Sequence, residues 1–188
     1  MDEFQVAVPP VSDAVRAQAA ERPGSWVYAI DSHFDPAGRV PPYGIVGAWK
    51  VDERGHITGE FKHNPKYRPS PRSRGMKKPT DPLDAVIQLA STGYAADAEV
   101  QSVLLESLVY VTGGANGVAE PALQGGNRFV VRIYTNLAHV PNSIPEVQRV
   151  LFRNILGELP EYSVLKLNPH SSVSAEVPLA DIRRVADQ

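Results

Sequence analysis

Asp31, His33 and Asp35 alternate in the stretch DSHFDP, bringing two carboxylates and an imidazole within five residues. These are the donor types of a divalent metal site or a general-base centre. A metal would need further ligands from elsewhere, and His56, His63, His139 and His170 fall on predicted loops. In a segment rich in Asp, Gly and Pro, local turn hydrogen bonds explain the aspartates equally well. They are therefore read as turn residues, with no metal and no cofactor.

Other catalytic arrangements fare no better. The chain has no cysteine, which excludes disulfides, thiolate zinc sites and cysteine nucleophiles. No Gly-x-Ser-x-Gly elbow is present, and the serines lie in caps and loops. GGANG and QGGN lack the Gly-Lys-Ser/Thr ending of a phosphate loop. Glu158 with Glu161, and Asp52 with Glu53, fall at a helix end and a turn, ordinary solvated positions. No residue set names a reaction, and the chain is read as non-enzymatic.

The densest chemistry is charge. Lys62 to Pro82, KHNPKYRPSPRSRGMKKPTDP, holds seven Lys or Arg, five Pro and one Asp. The rest of the chain carries 12 basic and 20 acidic residues, a net −8, so an acidic body bears one basic strap. Its prolines fix φ, remove donors and push preceding residues toward extended conformations. The strap should run along a surface with its cations displayed. Two readings are open. In one, Lys66, Arg68, Arg72, Arg74, Lys77 and Lys78 contact an acidic partner or anionic ligand. In the other, they fold back on the protein's own carboxylates as weak pairs of no more than about 1 kcal/mol each. A nucleic-acid partner fits poorly, because Tyr67 alone interleaves as a stacking residue and the body is acidic.

Several elements must position these residues. VSDAVRAQAAERPG predicts a short helix capped by Ser12 or Asp13 and stopped at Pro23-Gly24. SWVYAIDS predicts a strand, and YGIVGAWKVD and HITGEFKHN a hairpin closed by a polar turn with Gly55. Gly44, Gly47 and Gly59 inside it suggest a bulge or a close backbone approach. Trp26, Tyr28, Phe34, Tyr43 and Trp49 read as core or cross-strand aromatics rather than a peptide groove.

DPLDAVIQLASTG and AADAEVQSVLLES then read as helices, LVYVTGG as a strand and GGANGVAEPALQGGN as a mobile loop. RFVVRIYTN is a strand. SIPEVQRVLFRNILGEL reads as an amphipathic helix capped by Ser143, with Val147, Val150, Leu151, Ile155 and Leu156 inward. YSVLKLNP is a strand, and SAEVPLADIRRVAD a short strand or turn followed by a final helix.

Strands followed by mixed elements predict an α+β fold, a mixed sheet with helices packed on it. Residues 1–80 form a strand-rich region ending in the basic loop 62–82, and residues 81–188 a second region, expected together as one compact unit. At 43% hydrophobic and 21% charged, the composition is that of a globular domain. The N-terminal stretch begins with acids and lacks an apolar run of signal-peptide length, and no run approaches the roughly 20 residues that span a bilayer. The expected location is cytoplasmic, with no membrane insertion.

Two stretches carry a resemblance. RFVVRIYTNLAHVPNS and VLFRNILGELPEYSVLKLNPHSSVSAEVPLADIRRV resemble the C-terminal part of the SseB-type domain, through Tyr134-Thr135, an expected helix near Glu146 to Leu156, and Leu165 to Pro169. His170 stands where that family usually has glycine. LDAVIQLASTGYAADAEVQSVLLESLVYV is similar to the family's opening helices and first strand. Upstream, WVYAIDSHFDP and VPPYGIVGAWKVDERGHITGEFKHNPKYRPSPRS look like actinobacterial proteins associated with type VII secretion, which join such a front half to an SseB-like back half. The resemblance implies a cytosolic accessory, a chaperone-like or immunity-like binder of a secretion substrate or machinery component. It carries over no catalytic residues. The runner-up is a small-molecule or nucleotide-handling enzyme with a site between the halves, using Asp31, His33 and Asp35 with the LNPHSS turn. A third reading is a structural subunit that forms a homo-oligomer.

Overall fold

In the computed structural model, which describes residues 7–112, 122–123 and 129–187, the chain divides into two units, Met1–Gly75 and Met76–Gln188. The architecture is α+β in the element sense: helices accompany an antiparallel sheet in the first unit and a mixed sheet in the second.

The first unit begins with helix α1, Asp13–Ala20, where Ser12 Oγ accepts the Val15 N–H at 3.3 Å. Strands β1 (Trp26–Ile30), β2 (Ile45–Val51) and β3 (Ile57–His63) form an antiparallel sheet in that order. The β2–β3 turn is built by Asp52, whose Oδ1 accepts the Arg54 and His56 N–H groups at 2.9 and 2.7 Å. The β2–β3 register shifts between Trp49 and Val51, and β3 contains Gly59 at φ +87°. Gly47 is required by crowding: a Cβ there would lie 2.4 Å from the Lys62 carbonyl oxygen and 2.5 Å from the Phe61 ring.

The core of this unit packs Ala19 on Val27 and Val51, and Ala29 and Val46 with Trp49. Of the five aromatics expected as core or cross-strand residues, Trp49 alone is buried, and its ring lies 4.6 Å from that of Phe61, its partner across β2 and β3. Strand alternation turns Trp26 and Tyr28 to the open side of β1, 38% and 58% exposed, because Val27 and Ala29 take the inward positions.

In the second unit, helix α2 (Pro82–Ser91) starts at Asp81, whose carboxylate accepts the Asp84 N–H at 2.9 Å. It ends at Gly93, φ +76°, with the Tyr94 N–H returning to Leu89 at 2.8 Å, as a left-handed cap does. Helix α3 (Asp97–Leu105) leads into β4 (Leu108–Thr112). The sheet runs β7 (Val147–Leu151), β4, β6 (Phe129–Tyr134), β8 (Ser163–Leu167), β9 (Ala175–Pro178), with the short β5 (Ala122–Leu123) also on β6. Strands β6 and β8 are parallel and the other pairings antiparallel. Leu83, Ile87, Val100 and Leu104 of the helices, with Leu179 and Ile182 of the final helix (Leu179–Ala186), cover Val109, Val131, Ile133, Leu165 and Leu167 of the sheet. The expected loop at 113–127 lies outside the described residues apart from Ala122 and Leu123.

One element is corrected. The expected helix from Ser143 is instead strand β7, then a four-residue helix α4 (Phe152–Ile155) and a 3-10 turn (Leu156–Glu158). Val147, Val150 and Leu151 do fall at helical spacing, but β4 offers a free edge, and all five residues of β7 pair with it. Helix propensities differ by at most about 0.7 kcal/mol per ordinary residue. Fully burying Phe152 contributes on the order of 1.5–3 kcal/mol, and the edge pairing supplies backbone hydrogen bonds besides. Tertiary packing therefore overrides the periodicity.

Candidate functional site

Asp31 follows the last residue of β1 and is 2% exposed. Its backbone N–H donates to the Gly44 carbonyl at 2.9 Å, fixing its position against the start of β2. Its carboxylate faces the basic strap. Oδ1 accepts the His33 N–H at 2.9 Å and the Ser70 hydroxyl at 2.7 Å. Oδ2 accepts the Tyr67 hydroxyl at 2.7 Å, the Ser73 hydroxyl at 2.8 Å and the Ser70 N–H at 3.1 Å. A carboxylate offers about four lone-pair positions, so these five donors saturate it. Burial alone would raise the Asp31 carboxyl, but the hydrogen bonds from Tyr67, His33, Ser70 and Ser73 together outweigh it and hold the group below its ordinary 3.8. In return, burial first, and then the Asp31 charge, push the Tyr67 hydroxyl up to about 12.

Asn64 adds a second anchor. Its amide donates to the Pro42 and Ile45 carbonyls, each at 2.7 Å, while its Oδ1 accepts the Lys66 N–H at 3.0 Å. The Arg68 N–H donates to the Tyr43 carbonyl at 3.0 Å. Lys62 and His63 end β3 and Pro82 opens α2; between Asn64 and Asp81 the strap forms turns and irregular backbone, with no helix or strand.

The six predicted contact residues divide between the units. Lys66, Arg68, Arg72 and Arg74 belong to the first, Lys77 and Lys78 to the second. All six are exposed. Arg68 lies over the Tyr43 ring, 5.6 Å from its centre, a cation–π contact. Among the described residues, the ion pairs present join other cations to carboxylates, and none uses Lys66, Arg72, Arg74, Lys77 or Lys78. The strap is held down by hydroxyls and an amide, while those cations face outward.

The alternating Asp31, His33 and Asp35 do not converge on one point. Asp31 is spent on the strap, and Asp35 Oδ1 accepts the Ala37 N–H at 2.9 Å in a local turn. Among the described residues, no group of three or more His, Asp or Glu comes together that could hold a metal ion.

The LNPHSS turn has a different outcome. Asn168 is fully buried and adopts φ +49°. It locks onto Thr135 in both directions: Oδ1 accepts the Thr135 N–H at 2.9 Å, and Nδ2 donates to Thr135 Oγ1 at 3.1 Å. Its backbone N–H donates to the Ile133 carbonyl at 2.8 Å, and its carbonyl accepts the Ser171 N–H at 2.9 Å. Ser171 Oγ thereby comes 2.7 Å from His139 Nδ1. On the far side of the ring, Nε2 lies 3.1 Å from Thr80 Oγ1 and 3.7 Å from the buried Asp84 carboxylate. Sequence reasoning singled out the turn but not its pairing with His139, and a separation of 32 residues leaves no local signal for it.

Among the described residues no helix is long and apolar enough to cross a membrane. Comparison of the chain with protein-family models, with curated proteins and with solved structures finds no match, so the resemblance to the SseB-type domain remains an expectation from its motifs.

Proposed function

We propose that this chain is a protein-binding accessory whose basic strap docks on an acidic surface of its partner, with Lys66, Arg68, Arg72, Arg74, Lys77 and Lys78 as the positive contacts. One observation carries the reading: the strap is anchored through Asp31 by uncharged donors, which leaves Arg72 and Arg74 exposed and, among the described residues, without a carboxylate. Had the strap existed to hold the protein to itself, the economical anchor for a buried carboxylate would be an arginine fork. Pre-fixing the backbone also lowers the entropy lost when the cations engage a partner. The motif resemblance points to a secretion substrate or a component of type VII secretion as that partner, and to a cytoplasmic setting. Binding of this kind requires no catalysis.

The test is affinity purification of the tagged chain from its native cytoplasm, beside the double variant R72E/R74E and the control R184E, whose cation already pairs with Asp181 at 3.0 Å. A specific partner should be lost from R72E/R74E and kept by R184E, and its recovery should fall as salt is raised. Equal recovery with all three chains would remove the strap from the account.

A further inference from the structure

His139 is gripped by hydroxyls on both ring nitrogens, and the direction of its protons follows from the outer end of the chain of contacts. Thr80 Oγ1 has a single proton and lies 2.7 Å from Asp81 Oδ2, which can only accept. Thr80 therefore accepts from His139 Nε2–H at 3.1 Å, and in the neutral imidazole this leaves Nδ1 bare to accept the Ser171 proton at 2.7 Å. Asp84, whose side chain is 3% exposed, places Oδ2 3.7 Å from Nε2. That carboxylate is itself fixed by the Thr80 N–H at 2.9 Å and approached by the Gln88 amide at 3.4 Å. A hydroxyl on the bare nitrogen of an oriented imidazole, with a carboxylate behind the ring, is the arrangement that activates a serine.

The turn carrying Ser171 is also rigid. Asn168 holds a left-handed φ and is fixed by its two hydrogen bonds with Thr135, and strained backbone held by buried partners is a recurrent setting for reactive side chains. Ser171 is half-buried, and the His139 side chain is 16% exposed, so the pair lies within reach of a small molecule at the surface.

We infer that Ser171 is a nucleophile toward small acyl esters, with His139 as its general base and Thr80, Asp81 and Asp84 as positioning residues. This activity belongs to the second unit and is independent of the binding role of the strap. Ser171 Oγ adds to the ester carbonyl as its proton passes to His139 Nδ1. The carbon–oxygen bond to the leaving alcohol then breaks, and the alcohol departs with that proton. Water attacks the acyl-serine, giving its proton to Nδ1, which returns it to Ser171 Oγ as the carboxylic acid leaves. The net change is ester plus water to acid plus alcohol.

The experiment treats the full chain with a fluorophosphonate and, separately, with p-nitrophenyl acetate. It reads intact mass, the labelled peptide and the release of p-nitrophenol. One phosphonyl group should form on Ser171 with loss of fluoride, while the exposed neighbours Ser172 and Ser174 serve as internal references. Ser171→Ala should abolish the label, and His139→Gln should slow it roughly 100-fold. Asp84→Asn should slow it less and displace its pH profile, a readout that a merely structural role would not move. Thr80→Val, which leaves the imidazole in place, must also slow labelling, and it serves as the second variant should H139Q fail to fold by circular dichroism. Labelling of Ser171 no faster than Ser172, or an unchanged rate in folded H139Q or T80V, overturns the proposal.

Discussion

Ser70 grips Asp31 twice, through its hydroxyl at 2.7 Å and its backbone N–H at 3.1 Å, across 39 residues of chain. Ser70 is fully buried and Asp31 nearly so, making this the point at which an otherwise irregular segment is pinned. Hydrogen bonds to a charged acceptor are worth about 1.5–3 kcal/mol each, more than a typical exposed ion pair. Asp31→Asn weakens the acceptor and introduces a competing donor, and should lower the stability of the first unit by on the order of 2 kcal/mol. Both tryptophans, Trp26 and Trp49, lie in that unit, so urea unfolding followed by tryptophan fluorescence reports it directly. An unmoved midpoint would show that the strap is not held by Asp31.

The same carboxylate predicts an acid limb. Its folded value lies below its unfolded one, so its contribution is fully present above about pH 4 and is lost as pH falls through the folded value. Wild-type fluorescence midpoints should fall below pH 4 more steeply than those of D31N. Parallel curves would assign the acid sensitivity to other groups.

Tyr67 predicts the alkaline counterpart. Its folded value of about 12 exceeds the ordinary 10, so its contribution is intact below pH 10 and declines as pH rises from about 10 to about 12. Burial also raises Tyr134, so ultraviolet titration of the seven tyrosines should show late titration from both. The component near pH 12 should be missing in Tyr67→Phe and move earlier in D31N, while the Tyr134 contribution stays in both variants. A titration without that component would mean that Tyr67 is solvated.

Two glycines of the hairpin should respond differently to alanine. At Gly47 the new methyl meets the Lys62 carbonyl and the Phe61 ring, and the cost should be about 1–3 kcal/mol from overpacking. At Gly59 nothing lies within 4 Å of the new atom, and only the left-handed backbone, φ +87°, opposes it, at about 1 kcal/mol. Urea midpoints for the two variants give the order, and the reverse order would contradict the packing described.

Asn168→Ala removes both bonds to Thr135 and leaves the buried Thr135 N–H without its acceptor, a loss of about 1–3 kcal/mol. Amide hydrogen exchange should speed at Thr135 and Ser171. Unchanged protection there would show that the turn is held by other means. R72E/R74E, by contrast, alters only exposed side chains and should move stability by no more than about 0.5 kcal/mol, as read by the same urea unfolding.

Local chemistry made much of the scaffold legible. Ser12 and Asp81 announced helix starts, Gly93 a helix end and the Asp52–Gly55 stretch a hairpin, because caps and turns depend on residues within a few positions. Proline spacing likewise kept Asn64 to Asp81 free of regular structure, and the charge of that segment was readable by counting. Val147 to Leu151 misled because the apolar spacing is helical and the strand shows no inward–outward alternation to announce it, so only the free edge of β4 decided the outcome. The aromatics of β1 misled because alternation fixes two faces without saying which is covered.

The sites lie beyond local reading for the same reason. Asp31 with Ser70, and His139 with Ser171, join residues 39 and 32 positions apart, and no short-range rule links such pairs. By itself the sequence determined the caps, the turns and the cationic composition of the strap, since each is settled among neighbours along the chain. Only the tertiary structure decided that the Asp31 carboxylate is satisfied by hydroxyls and backbone N–H groups rather than by the cations of the strap, and that His139 meets Ser171, because burial and hydrogen-bond partners are set by which distant segments pack together.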